Sequence, residues 1–440
     1  MSPSSVERAT ARGRPSALSN LVLHLHPPTV PERALGFSQT LGLGGASLVL
    51  TGLLVVTGVL LLFVYEPSAE AAYDSVASLR WNVPFGQFIR NLHRWSGNAA
   101  VVLVFLHLLR VYFTGGHAGP RAKNWIVGLL LLLLVVFSNF TGYLLPWDQL
   151  AYWAVTIGTS MLDYVPVAGP LLQQLLRGGD EVGPRTLTVF FVLHVVLLPV
   201  ALALLLPAHF WLVRKAGGIV VPPVEDADAS RRLPVRPHLT TREATAALVV
   251  VAAMLVLALA MNAPLEEPAN PGLSPNPAKA PWYFMGVQEL LVHLHPFFAV
   301  LVVPLAAAIL LLRLPALDAG TAGAGTWFRS AAGRRTAALG AAAGALATIA
   351  GVLADDLLVD SARWFPAVPA WVAAGLVPVA AYGLLAAGFN RWLTRSRRAT
   401  REEAVQALVA AGVAAFLVLT AVGALLRGEG MALIWPWRIP

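Results

Sequence analysis

No cysteine occurs among the 440 residues of the chain. Its absence excludes disulfides, thiolate metal sites, iron–sulfur clusters and haem held through thioether bonds. Any cofactor must be held by histidine, carboxylates, hydroxyls or backbone. Charge is scarce as well: 12% of residues are charged and 57% are hydrophobic, where soluble domains carry about 25% charge. Such a chain cannot cover itself with polar surface, which excludes an ordinary soluble globule, and its apolar content excludes disorder. Lys and Arg number 31 against 23 Asp and Glu, but they are spread along the chain. That spacing suits loops flanking membrane spans rather than a nucleic-acid patch, so no nucleic-acid partner is expected. The segment up to Pro31 lacks an apolar stretch of signal-peptide length, and no cleavage is expected there.

A helix needs about 20 apolar residues to cross the hydrocarbon core, and nine stretches qualify: Leu41–Tyr65, Asn98–Phe113 (beginning near Phe88 with polar residues inside the bundle), Trp125–Leu145, Thr186–Val213, Ala244–Met261, Phe297–Leu314, Thr336–Ala354, Val368–Phe389 and Ala404–Leu426. Proline-rich or charged segments separate them, and no internal repeat is evident. The expected fold is therefore all-α, a polytopic membrane protein with a four-helix bundle at its N-terminal end. The chain divides into a segment over 1–40, the bundle over 41–218, a basic linker over 219–242 and a second membrane domain over 243–440. With the N-terminus on the cytoplasmic side, that side collects 22 of the 31 basic residues and the other side 9. Arg231, Arg232 and Arg236, Arg334 and Arg335, and the run from Arg391 to Arg401 contribute most. The bias predicts a cytoplasmic N-terminus and, with nine spans, a C-terminus on the outer side.

Four of the ten histidines lie in apolar helices: His93 and His107 on the second span, His194 and His209 on the fourth. An isolated intramembrane histidine serves helix packing or proton handling more often than metal ligation. Here the intervals are 14 and 15 residues, about 21 and 22 Å and close to four turns, so each helix points both histidines to one side. The two spans run in the same direction, which pairs His93 with His194 near the outer face and His107 with His209 near the inner face. Paired imidazoles across a four-helix bundle are axial ligands for low-spin haem, and without cysteine the haem must be b-type. Gly44 and Gly58 on the first span, and Gly128 and Gly142 on the third, repeat the 14-residue interval and leave room for bulky groups. Glycine in such helices also serves close packing, but two pairs in register with the histidines favour haem. Arg94 and Arg110, each near a ligand, suit haem propionates, although Arg110 can equally snorkel. Two haems stacked across a bilayer carry electrons through the membrane potential, worth about 2.3 kcal/mol per charge per 100 mV.

The stretches Asn91–Asn98 (NLHRWSGN), His107–Gly116 (HLLRVYFTGG), Thr141–Val155 (TGYLLPWDQLAYWAV) and His209–Lys215 (HFWLVRK) closely resemble cytochrome b of the cytochrome bc complexes. The photosynthetic b6 branch is the nearest, because it shares the 15-residue histidine interval and an Asp after Pro-Trp, here Asp148. The likeness is strong over residues 25–218. Ala263–Pro296 resembles the family's second half, a separate subunit in the photosynthetic branch but fused here, and the terminal helices carry no signature. The resemblance implies a quinol–cytochrome c (or similar acceptor) reductase core subunit working by a Q cycle in a bacterial cytoplasmic membrane. Quinol would be oxidised near the outer face, one electron passing to a Rieske iron–sulfur protein and the other through two non-covalent b haems to an inner quinone site. A c-type cytochrome subunit, the quinone pool and a second copy of the complex are the further implied partners.

The same resemblance places the quinol pocket between two walls. One is the stretch after Tyr143, with Pro146, Trp147 and Asp148; the other is Ala280–Phe284, with Pro281, Trp282 and Tyr283. Tyr143, Asp148 and Tyr283 are candidate hydrogen-bonding groups; an interfacial aromatic belt with a helix cap reads the same residues without chemistry. Two departures stand out. The family's Pro-Glu-Trp-Tyr is Ala280-Pro281-Trp282-Tyr283 here, so the Glu that removes a proton is missing. Glu289, about two turns further on the same side within about 80°, is expected to replace it with a pKa raised by partial burial, with His293 or His295 as relays; a cap or ion pair at a helix end is the structural alternative. Gly42 stands where the b6 branch has the cysteine that tethers an extra haem, so no covalent c-type haem is expected. Two rival readings remain at this level. A non-bifurcating di-haem anchor would need the histidines but neither pocket segment, and a nine-helix transporter would leave the in-register pairs unexplained.

Overall fold

The computed structural model describes residues 27–222, 231–359, 364 and 366–435. The expectation of no cleavage near the start and the placement of Pro440 fall largely outside them. Among the described residues nine helices are long and apolar enough to span a membrane, and each overlaps one of the stretches read from the sequence.

The first four spans are α1 (Leu43–Leu62), α3 (Gly86–Phe113), α4 (Ala122–Leu144) and α7 (Pro184–Lys215). Between α1 and α3 lies the short α2 (Ala72–Ser78), and between α4 and α7 lie α5 (Gln149–Ser160) and α6 (Gly169–Arg177). The four spans pack as a bundle, and α8 (Val235–Ala260) lies against α1 and α3. The second span does begin early, at Gly86. Its polar residues Arg90, Asn91 and Ser96 are buried within the protein, which is how a helix with such residues lives in lipid.

The second half contains α9 (Met285–His293), α10 (Phe298–Leu317), α11 (Ala331–Leu357), α12 (Val372–Arg395) and α13 (Arg401–Leu425). Helices α11 and α13 form the closest pair. A Cβ added at Gly340 or Gly344 would collide with the backbone of Ala407 or Ala411, so the two glycines let the helices touch backbone to backbone. Leu314, Ala337 and Val409 share a core with Tyr112, Phe113 and Trp125, which joins the halves. A two-stranded ribbon, β1 (Thr29–Pro31) against β2 (Arg232–Pro234), is the one sheet described.

Three spans contain a π turn: Leu193–Leu197, Phe298–Val302 and Val372–Leu376. Each precedes a proline by two residues, at Pro199, Pro304 and Pro378. Proline lacks an N–H and its ring clashes with the carbonyl four residues earlier, so widening the turn before it relieves the clash and frees that carbonyl. Ala374, four residues before Pro378, uses its freed carbonyl to accept the N–H of His295 at 2.8 Å.

The helix ends gather as alternate crossing requires. The end of α4 meets the segment after α8 through Asp148 and Glu266, and the ends of α9, α11 and α13 meet through Glu289, Asp356 and Arg427; these lie at the Asp148 end of the spans. At the opposite end Gln39 reaches the carbonyls of Val220 and Gly325 and receives the Arg110 guanidinium.

Candidate functional site

The four histidines come together in the pairs expected. The rings of His93 and His194 have centroids 6.2 Å apart and planes at 77°; those of His107 and His209 are 6.5 Å apart at 75°. With metal–imidazole bonds of about 2.0–2.1 Å, two rings on opposite sides of one ion sit roughly 6 Å apart, so both pairs have the spacing of axial ligands. The intervals of 14 and 15 residues become equivalent because the π turn at Leu193–Leu197 contains His194. A π turn adds one residue to a helix, so α7 needs 15 positions to bring its second histidine back to the same side.

The ring nitrogens of His194 and His93 are prepared for ligation. His194 Nδ1 lies 2.9 Å from the Ser138 carbonyl. His93 Nδ1 lies 2.9 Å from Thr57 Oγ1, whose own hydrogen goes to the Leu53 carbonyl at 2.7 Å. An acceptor at Nδ1 fixes the proton there and leaves the Nε2 lone pair for a metal. Each of the four glycines faces one ligand ring. An added Cβ would lie 2.5 Å from Cε1 of His194 at Gly142, 3.1 Å from His107 at Gly44, 3.3 Å from His93 at Gly58 and 3.7 Å from His209 at Gly128. Glycine there keeps a neighbouring helix clear of the ligand. Alanine substitution is expected to reduce haem retention in that order, most at Gly142 and least at Gly128, when haem per chain is measured by alkaline pyridine spectra.

Two arginines flank the pairs differently. Arg110 is buried, donates Nε to the Gln39 carbonyl, and leaves Nη2 without a partner, which fits an anionic propionate. Arg94 lies over the Tyr143 ring, 4.7 Å from its centroid. Arg90, which sequence reasoning passed over, anchors the second half: its guanidinium binds the carbonyls of Ala263 and Pro264 at 2.8 and 2.6 Å.

The Ala280–Phe284 segment docks on α3 and α4 at the His93–His194 end of the bundle. Phe284 packs edge-on against Phe140 of α4, with centroids 5.4 Å apart, and Trp282 Nε1 donates to Asn98 of α3 at 3.2 Å. Pro281 is buried and caps the turn Trp282–Phe284. The Tyr283 hydroxyl is buried without a partner and lies within electrostatic reach of Arg94 and Tyr143; burial raises its pKa. On the other wall Pro146 is half-buried, and Trp147 packs into the core with Tyr152 and Leu144.

Asp148 is bonded to backbone through both carboxylate oxygens. One carboxylate oxygen caps α5 through Ala151 N at 2.9 Å, and the other accepts Glu266 N at 3.3 Å. Burial raises its pKa despite these bonds. Asp148→Asn keeps an acceptor for the cap and is expected to retain stability, whereas Asp148→Ala loses about 1 kcal/mol, as thermal loss of the haem absorbance would report.

Glu289 departs from expectation. Its side chain is fully buried, but it points at the end of α13. Oε1 receives Arg427 Nη2 at 2.6 Å and lies 3.0 Å from His293 Nε2. Arg427 also binds Asp356 at 2.8 Å, and His293 Nδ1 meets Asp355 at 2.7 Å. Burial alone would raise the Glu289 pKa, but the hydrogen bonds and charges of His293 and Arg427 outweigh it and hold it below the ordinary value. The expected upward shift is thus corrected: Glu289 is a fixed anion. His293 carries the opposite shift, to about 9, because Asp355 and Glu289 outweigh the effect of burial. His295 takes no part in this cluster, and Lys279 Nζ is tied to the Ala424 carbonyl at 3.0 Å.

At the opposite end, sequence reasoning also missed a buried group of His117, Asp318 and Arg329. Asp318 lies 2.8 Å from Arg329 and 3.4 Å from His117, bridging the segment after α3 to the loop between α10 and α11. Gly42 opens α1 with φ of 64°, a backbone that glycine adopts without strain.

Residues 33–217 match the family model Cytochrome b/b6/petB. The cytochrome b6 of Heliomicrobium gestii is 45% identical over 175 residues, which span 40% of this chain and 82% of that protein. That of Synechococcus sp. (strain RCC307) is also 45% identical, with 80% of its length covered. A solved chain of a "Hyperthermophilic respiratory Complex III" superposes with a TM-score of 0.66 and 24% identity, covering 93% of this chain and 96% of the other, which extends the shared fold to the second half. With its four bundle helices matched in sequence and the two histidine pairs in place, the chain belongs to the cytochrome b/b6 family, whose members bind b haems.

Proposed function

We propose that the protein is the di-haem cytochrome b subunit of a quinol-oxidising bc-type complex, with the Asp148 end of its spans at the outer face. The observation that carries this reading is the coexistence of two ligand-spaced histidine pairs with a pocket segment, Trp282–Phe284, docked beside the outer pair. The haems, when bound, supply one-electron transfer. His93 with His194 and His107 with His209 would hold them, and Arg110 and Arg94 would face their propionates.

The chain's own work is to bind quinol, exclude water and move protons. Tyr283, with its unpartnered buried hydroxyl, is suited to hydrogen-bond the quinol head, and Tyr143, Pro146, Trp147, Pro281 and Trp282 supply apolar walls. One electron would leave to a Rieske iron–sulfur protein and the other to the outer haem, toward a quinone at the inner face. A c-type cytochrome and a second copy of the complex complete the proposed assembly. The test is purification under mild detergent followed by quinol addition. Co-purification of a Rieske protein and reduction of both haems and the Rieske centre by quinol are expected. Two haems reduced by quinol with no Rieske partner would instead indicate an anchor that passes electrons without bifurcation.

A further inference from the structure

Oxidising one quinol to quinone releases two electrons, taken by the acceptors named above, and two protons. Position 281 is a proline, with neither a side-chain acceptor nor an N–H, and both Asp148 oxygens are engaged by backbone. We propose that His293 accepts a quinol proton and passes it to the outer surface through Asp355, an inference that rests on the quinol-oxidising reading.

The geometry is a short wire of rising exposure: Glu289 side chain 0% exposed, His293 10%, Asp355 39%. His293 is bonded at both ring nitrogens, Nε2 toward Glu289 and Nδ1 toward Asp355. Nε2 also lies 3.0 Å from Arg427 Nη2. That double contact gives the ring two satisfied forms. As a neutral base, it keeps its proton on Nδ1 and its Nε2 lone pair accepts from Arg427. As a cation, its new Nε2–H donates to Glu289 Oε1. The cation then gives its Nδ1 proton to the Asp355 carboxylate, which releases it to water. The ring is left neutral with its remaining proton on Nε2, and tautomeric return of that proton to Nδ1 readies the base for the second quinol proton. Glu289, four residues nearer the pocket along the helix, would hand each quinol proton from Oε1 to His293 Nε2, 3.0 Å away, and Arg427 with Asp356 restores it to the anion. The charged groups facing His293 are Glu289 on its own helix, Asp355 and Asp356 of α11 and Arg427 beyond α13; Tyr382 of α12 donates to the Ala347 carbonyl and senses Asp355. Their balance raises the His293 pKa to about 9, so the base form grows as pH rises toward that value.

The experiment is quinol oxidation by the intact complex from pH 6 to 10, with haem content checked and proton release followed by a pH dye. The wild type is expected to speed up with pH, with its midpoint near the His293 pKa of about 9. His293→Gln should slow oxidation on the order of 100-fold and lose that pH dependence. The surface variant Asp355→Asn should move the midpoint down by about one unit and delay proton release behind haem reduction. A wild-type midpoint and rate in both variants, with haems intact, would overturn the relay. Failure of quinol to reduce a wild-type complex holding both haems would overturn the quinol-oxidising reading itself.

Discussion

Replacing His107 by leucine is expected to halve the haem content and leave quinol able to reduce only the haem held by His93 and His194. His209 loses its counterpart 6.5 Å away, and one imidazole cannot make a bis-histidine site. The other pair should survive, because its ligands lie about 21 Å up the helices and have their own anchors at Thr57 and Ser138. Steady-state turnover should fall to a small residue, because the second electron has no route to the inner face. Reduced-minus-oxidised spectra with quinol or dithionite separate the two effects: dithionite counts the haems present, and quinol counts those connected to the outer pocket.

Arg427→Met is expected to have the largest effect on stability. The guanidinium is buried and bonded to Glu289, Asp356 and the Met431 carbonyl. Removing it strands a buried carboxylate, at a cost of about 3–5 kcal/mol, which should lower the midpoint of thermal haem loss by roughly 10 °C. Arg427→Met combined with Glu289→Gln should recover most of the loss, because the carboxylate left without Arg427, Asp356, is 17% exposed and reaches water. The pH dependence has a definite sign. With its pKa raised to about 9 in the folded protein and about 6.5 unfolded, His293 contributes its full stabilisation below about pH 6.5. That contribution fades as pH rises through 9. Thermal midpoints that stay level across this range would mean that the His293 contacts do not hold the helices.

The bundle was the most legible part of the sequence because periodicity acts over long distances there. Ligands 14 or 15 residues apart, and glycines at the same interval, can share a face only if the helices cross side by side. The extra residue on α7 was visible as an odd interval, but its cause, a π turn ahead of Pro199, was not. The second half was harder because decisive contacts are remote: Glu289 takes its charge state from His293, four residues on, and also from Arg427, 138 positions away. No local pattern announces such a partner, and burial alone suggested the opposite pKa shift. One signal was available and unused. Gly340 and Gly344, four residues apart, form a small-residue face that marks the tight α11–α13 contact. The buried Asp318 bridge between the halves left no comparable trace, since its partners come from separate loops.

The two histidine pairs are expected to hold two non-covalent b haems in bis-imidazole coordination. Haem per chain on the purified protein, read by alkaline pyridine spectra together with the low-temperature electron paramagnetic resonance of the oxidised form, tests it most directly. Two haems per chain, both low-spin and both extracted by acidified acetone, is the predicted result. One haem, a high-spin signal from either site, or a haem that stays with the chain after extraction would contradict it.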